Sequence, residues 1–504
     1  MMKKILYLAF SLLLWSSCDM DLNQQPISDA SSETYFQTVD DFNQGLNAVY
    51  SSLRGYPDRL MSLAETRSDN LHAISDGGVR DWEGINSFHR TIASNPYVEE
   101  AWETNFNGIF RANNYLEQLA QKGESVILDE EVRRRMEGQV RFLRAFYYFD
   151  LIRYFGRVPL IDRVVDATEA KAIPRSPVSE VYNLIIEDLN MAISYLPAPS
   201  EYAVQDKGRA NRYSAKMLLG LVYMTRSGPD LGVEGAGLNT NEWDKAVEQF
   251  NDIIASHEFA LLPSYSAIFD YDNERNEEVI FNIEYASGAN PIVGSTFPWV
   301  LVPDIWFVEV LGLPTQGGLT IRPVATDLLR AYETTDVRRS FSIQEGYSYG
   351  SVVETRSFIK KFVDITKVPT TSRFDWPINY IVYRYTDLLL LKAECVLNGA
   401  PGSMDTDVDG VVNAVRERAG LTTPLTGVTK AQLLEERRRE FIGEGTRWFD
   451  LIRSGTVEAT MQAWIETEDT GGQMRDFQMD YVLYPVPQSE MNTAPGLYDQ
   501  NPGY

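Results

Sequence analysis

The sequence predicts a mostly α-helical chain in which amphipathic helices stack in pairs and carry a loop-rich, mixed excursion. Three observations carry this expectation. Apolar residues recur at helical spacing in successive stretches, as in Val140, Leu143, Tyr147, Leu151 and Tyr154. Pro and Gly gather in one central region, about 257–376, with Pro263, Pro291, Pro298, Pro303, Pro314 and Pro323 among them. Strand-like alternation is short, at Glu278 to Ile283.

The elements follow in order. Met1-Met2-Lys3-Lys4 is basic, Ile5 to Trp15 is apolar, and Ser16-Ser17-Cys18 follows. The apolar run is too short to span a bilayer and suits a secretory leader. Small residues before a Cys resemble the lipobox of bacterial lipoproteins, although Trp15 stands where Leu is usual. Residues 1–17 are therefore expected to be a signal peptide. Cys18 is expected to be lipidated with acyl chains such as palmitate, and residues 18–30 form a polar tether.

A single body, 31–504, is expected beyond the tether, with helical scaffold at about 31–256 and 377–454. The helix through Tyr154 ends at Gly156, with Pro159 beyond. Val181, Ile185, Leu189, Ala192 and Leu196 make the next stripe, then Ala215, Leu218, Leu219, Val222 and Tyr223, then Trp243, Ala246, Val247, Phe250 and Ile254. Trp243-x-x-Ala246 with a following aromatic resembles the opening of a tetratricopeptide helix pair. No strict 34-residue period survives, so such repeats would be degenerate. Helical pattern resumes at 379–398, 409–419 and 429–454, and 455–504 is expected to be an irregular tail. Trp102, Trp243 and Trp448 lie on helical stripes and are assigned to the core.

Charge excludes some functions. The chain carries −25 overall, and losing the leader leaves 44 of its 46 basic residues against 71 acidic ones, near −27. Such a surface repels phosphate backbones and anionic lipid, so no nucleic-acid partner is expected. Only Cys18 and Cys395 are present, which leaves the body without an internal disulfide pair. The 27 Tyr and 9 Trp exceed what the helical stripes use, which hints at ring faces for a ligand.

Enzyme signatures mostly fail. Gly346-Tyr347-Ser348-Tyr349-Gly350 matches the nucleophile-elbow spacing, but His72, His89 and His257 all precede Ser348 and no helical stripe follows it. Asp405-x-Asp407-x-Asp409-Gly410 copies the first half of a calcium loop. Arg416 occupies the position that should supply a bidentate Glu, so capping of the next helix is favoured over calcium. Scattered histidines leave no zinc constellation, and no cofactor or metal is expected. In the run Glu435-Glu436-Arg437-Arg438-Arg439-Glu440, i,i+4 spacing gives the charges a structural reading ahead of a catalytic one.

A family resemblance rests on several motifs. Arg437-Arg438-Arg439-Glu440-Phe441 with Glu444-Gly445-Thr446-Arg447-Trp448-Phe449-Asp450-Leu451-Ile452-Arg453 resembles the most distinctive helix of RagB/SusD proteins. Arg384-Tyr385-Thr386-Asp387-Leu388-Leu389-Leu390-Leu391-Lys392-Ala393-Glu394 resembles another motif, with Thr386 where Ala is usual. Asn413-Ala414-Val415-Arg416-Glu417-Arg418-Ala419-Gly420-Leu421, the Phe142 to Leu160 stretch and Gln500-Asn501-Pro502-Gly503-Tyr504 match in the same order. Asp19 and Asp21 after Cys18 resemble a surface-export signal of Bacteroidetes lipoproteins. The resemblance implies a non-catalytic lipoprotein on the outer face of the outer membrane. It would bind oligo- or polysaccharide and pass it to a SusC-like TonB-dependent transporter. Capture of peptide or glycopeptide is the alternative, and a surface glycoside hydrolase a more distant one.

The motifs themselves read as scaffold, so site residues are chosen from physics. A sugar presents apolar C–H faces and a girdle of hydroxyls, and asks for exposed rings flanked by polar side chains. The expected glycan-binding residues are Asp69, Asn70, Arg80 and Trp82 in one polar, Gly-rich stretch, Trp299 and Trp306 in the excursion, and Arg373 and Trp376 at its end.

Overall fold

The computed structural model describes residues 35–74, 80–313, 322–369, 372–400, 407–474 and 476–504. The leader, Cys18 and the tether lie outside this range, as does Asp405. Among the described residues, the helices of at least eight residues are α1 (Val39–Ser51), α2 (Pro96–Val126), α3 (Glu130–Phe155), α4 (Val178–Tyr195), α5 (Arg212–Ser227), α6 (Trp243–Ala255), α7 (Tyr385–Leu397), α8 (Val408–Arg418), α9 (Lys430–Glu440), α10 (Arg447–Ser454) and α11 (Val457–Glu468). None is long and apolar enough to cross a membrane.

Local chemistry starts and stops these helices. The Thr38 hydroxyl accepts from Asp41 N while Asp41 reaches back, closing a capping box on α1. Asp129 accepts from Glu131 N and Val132 N to open α3, and Gly156, at φ +65°, closes it. Thr429 and Gln432 form a further box on α9. Asp407 caps α8 by accepting from Gly410 N, while Asp409 accepts from Gly427 N and Val428 N. These two acids are thus occupied in holding helix and loop.

Consecutive helices pack as neighbours, α2 on α3, α3 on α4, α4 on α5 and α5 on α6, as a stack of tetratricopeptide-like pairs requires. Helix α3 is the spine, with Leu143, Tyr147, Leu151 and Tyr154 fully buried. Trp102, Trp243 and Trp448 are buried as expected.

Three stretches differ from the sequence expectation. The run 429–454 is two helices, because Gly443 and Gly445 adopt φ +75° and +70° and turn the chain between α9 and α10. The region from 379 opens as a strand, β6 (Tyr380–Arg384), which pairs antiparallel with β3 (Val279–Ile283) before α7 begins. The tail is not wholly irregular either, since α11 occupies 457–468 and buries Val457, Met461 and Trp464. The excursion also holds a hairpin, β4 (Ile343–Tyr349) with β5 (Val352–Ile359). The short pair β1 (Val158–Pro159) and β2 (Arg175–Ser176) completes the strands described. Ser348 lies inside β4, so the strand-to-helix elbow that its motif would need is not formed.

A buried charged network joins the halves of the chain. Glu440 accepts from Arg338 at 3.0 Å, Arg384 at 2.8 Å and Arg418 at 2.6 Å, and all four side chains are buried. Burial alone would raise the Glu440 carboxyl, but the surrounding arginines outweigh it and hold it well below its ordinary range. Arg437 ties α9 to α7 and α10 through Asp387 and Asp450. Glu65, in a fully buried π-helical turn at Leu60–Glu65, accepts from Gly443 N and Gly445 N. Arg67 is likewise buried. It donates to Ile85 O, Tyr481 O and the Tyr504 hydroxyl, with its guanidinium over the Tyr484 ring. Asn501 donates to Phe155 O and Tyr484 O. These buried groups thus find partners distant in sequence.

Candidate functional site

The stretch Arg67 to Asn70 is polar because it is part of the buried network. Asp69 and Asn70 are each 1% exposed. Arg447 donates to both Asp69 oxygens, and Arg438 reaches the same carboxylate at 3.2 Å. Burial opposes ionisation of Asp69, yet the Arg438 and Arg447 charges prevail and push its pKa down to about 2. Asn70 donates to Glu65 and accepts from Arg438. Asn86 clamps the turn by donating to Thr66 O and Leu71 O. The expectation that Asp69 and Asn70 face a sugar is therefore corrected: their polar atoms are already taken.

Three of the expected tryptophans are also covered. Trp376 is 1% exposed, packs against Phe307, and its backbone pairs with Ser295. Trp306 is buried against Phe358. Trp82 lies under the Arg322 guanidinium, 4.7 Å from the ring centroid, and keeps little open surface. These rings plug the underside of loops, a common fate of large apolar groups.

Trp299 and Arg373 are brought together at the surface. The Arg373 guanidinium lies 4.4 Å from the Trp299 ring centroid and 5.0 Å from that of Phe374, and it sits 3.8 Å from Asp304. Trp299 and Phe374 meet edge to face at 5.5 Å. Phe374 is 42% exposed and Trp299 partly so. Rings, guanidinium and carboxylate in one cluster give a platform suited to the apolar face and hydroxyl edge of a sugar. The short helix Phe297–Val300 carries Trp299, and Thr296 just before it hydrogen-bonds to Asp58. The Asp58 residue keeps some open surface, but its Oδ1 is shut off from solvent without a partner. Burial pushes the Asp58 carboxyl up to about 7, against the Thr296 hydrogen bond.

Arg80 stands apart from that cluster, exposed in the wall of an open cleft of about 1060 Å³. The cleft runs between the described residues of 72–95, the 323–330 and 355–357 segments, and 467–474. Its floor is linked to the excursion, since Ser357 lines it and the adjoining Phe358 carries Trp306. His72 faces Glu468 at 3.3 Å and rests on Trp464. Sequence reasoning missed this cleft, because its wall is assembled from four separated segments of ordinary polar composition. An internal cavity of about 80 Å³ between Arg153, Asp387 and Phe449 is sized for waters, not a sugar ring.

A family model described as the SusD family matches residues 341–504, and one described as starch-binding, associating with the outer membrane, matches 22–224. Together they span most of the chain, which is SusD-like in sequence and fold. A curated relative, SusD-like protein P2 of Formosa agariphila, is 27% identical to this SusD-like chain over the full length of both. Surface glycan-binding protein A from Bacteroides fluxus superposes with a TM-score of 0.78 at 26% identity, covering 93% of this chain and all of that one. A laminarin binding SusD-like protein gives 0.75 at 25% identity, covering 93% and 100%. The SusD-like fold thus accounts for the helical stack, and the charged motifs of the sequence form the buried network described above.

Proposed function

We propose that this SusD-like chain captures glycan at the cell surface, using the Trp299–Arg373–Phe374 platform, without turning it over. The platform carries the reading: it is the one place where expected site residues meet at the surface with ring faces and paired polar groups. The separate open cleft, with Arg80 in its wall, offers a second polar surface with room for a saccharide. Two structurally similar proteins named for glycan and laminarin binding support the same reading.

The test is calorimetry with laminarin oligosaccharides and a wider glycan panel. Truncating a central ring in a small interface costs about 2 kcal/mol, roughly thirtyfold in affinity. Trp299→Ala and Phe374→Ala should each show such a loss while remaining folded. Unchanged affinity in both variants would remove the platform from the site. Prolonged incubation should leave oligosaccharide length unaltered, and shortening would make the protein a hydrolase.

The finer reading places the protein on the outer face of the outer membrane, held by acyl chains on Cys18, beside a TonB-dependent barrel. A tethered binder with no spanning helix among its described residues needs a pore to move what it catches. Shared tethering raises the local concentration of both proteins, so a modest interface suffices to pair them. Cys18→Ala should release the protein from membranes or stall its maturation. Mild-detergent purification should recover the barrel with it, and recovery of this chain alone from glycan-grown cells would contradict the partnership.

A further inference from the structure

We infer that the cleft and platform select uncharged glycans and reject chains bearing sulfate or uronate groups. This rests on the glycan reading above. The cleft wall carries three guanidinium groups, Arg80, Arg330 and Arg356, and four carboxylates, Asp81, Glu83, Glu468 and Asp469. Its carboxylates outnumber its cations, and one of the cations is matched directly. Arg356 donates to both oxygens of Glu354, at 2.9 and 2.6 Å. Arg80 shares its wall with Asp81 and Glu83. On the platform Arg373 is held beside Asp304, and Glu309 stands exposed on the same turn as Trp306.

An anionic group binds where unmatched cations converge and offer two-pronged donation. Here a sulfate drawing on Arg356 or Arg373 would strip Glu354 or Asp304 of its partner. A hydroxyl asks for something else, because it donates and accepts at once. The wall offers both kinds of group side by side: guanidinium donors at Arg80 and Arg330, carboxylate acceptors at Asp81 and Glu83, and hydroxyl or amide groups at Thr91 and Gln473. Long-range charge acts in the same direction, since a chain of net −25 repels an approaching polyanion.

The test titrates the protein with a panel of neutral hexasaccharides, laminarin-derived ones first, and with size-matched sulfated and uronic-acid hexasaccharides. A neutral ligand should bind with a dissociation constant that shifts by less than about twofold between low and high salt. Charged ligands should bind at least about tenfold more weakly. Preferential binding of a charged ligand, weakening steeply with salt, would overturn the selectivity and leave glycan capture standing. Binding of no saccharide in either class would overturn both.

Discussion

Arg447 grips Asp69 in a two-pronged pair, its Nε and Nη2 donating at 2.8 and 2.7 Å, and so fastens α10 to a turn 378 residues earlier. Both side chains are buried, so removing the cation leaves the Asp69 carboxylate to Arg438 alone, where water cannot make up the lost bonds. Arg447→Ala should cost about 3–5 kcal/mol in urea unfolding. Glycan affinity per folded molecule should stay as it was. Loss of binding at unchanged stability would instead put this helix in the site.

Ring truncation should separate core from platform. Trp376 is enclosed against Phe307, so Trp376→Ala should cost about 3–5 kcal/mol through the cavity it leaves. Phe374 is 42% exposed, and Phe374→Ala should change stability by no more than about 0.5 kcal/mol. Comparing the two melting temperatures checks the assignment. A similar fall in both would mean that Phe374 is a packing residue.

Asp58 sets a pH dependence of unusual sign. Its carboxyl is raised by burial to about 7 in the folded state, against an ordinary value of 3.8. Between those values the folded chain binds a proton that the unfolded chain does not, so this group's contribution to stability falls as pH rises from about 4 to 7. Asp69 acts oppositely: its stabilisation is present above the ordinary carboxylate value and is lost as pH falls toward about 2. Asp58→Asn should remove the slope between about pH 4 and 7, gaining roughly 2 kcal/mol near neutrality. Identical slopes for the variant and the parent protein would rule out this assignment.

Gly445 should resist substitution. It adopts φ +70°, and an added Cβ would lie 2.8 Å from Leu60 Cβ. Gly445→Ala should therefore destabilise by about 1–3 kcal/mol, from backbone strain and displacement of the turn that feeds Glu65. The same change at Gly472, also at positive φ but with nothing within 4 Å, should cost less. Denaturation midpoints of the pair measure the difference.

The helices were legible because their signal is local. The Val140 to Tyr154 stripe and the stripe of α6 name their own buried faces. The Val457, Met461 and Trp464 stripe was equally readable, but the flanking polar tail hid it. The site was less legible. Asp69 and Asn70 look like loop residues until Arg438 and Arg447 arrive from far along the chain. Trp299 and Trp376 differ in exposure, yet each has a Pro beside it and a Phe two residues before it, and only their tertiary neighbours separate them. The cleft belongs to four segments at once and to none of them singly.

The placement of Arg67 has a consequence for the order of events during synthesis. Its guanidinium is satisfied by Tyr481 O and the Tyr504 hydroxyl, and Asn501 reaches back to Phe155 O. A chain made from its N-terminus leaves these groups incompletely compensated until residues 481–504 have been made. Stable structure is thereby postponed to a late step. That delay leaves the nascent polypeptide threadable, and it makes a truncation that removes residues 481–504 among the most damaging ways to lose residues.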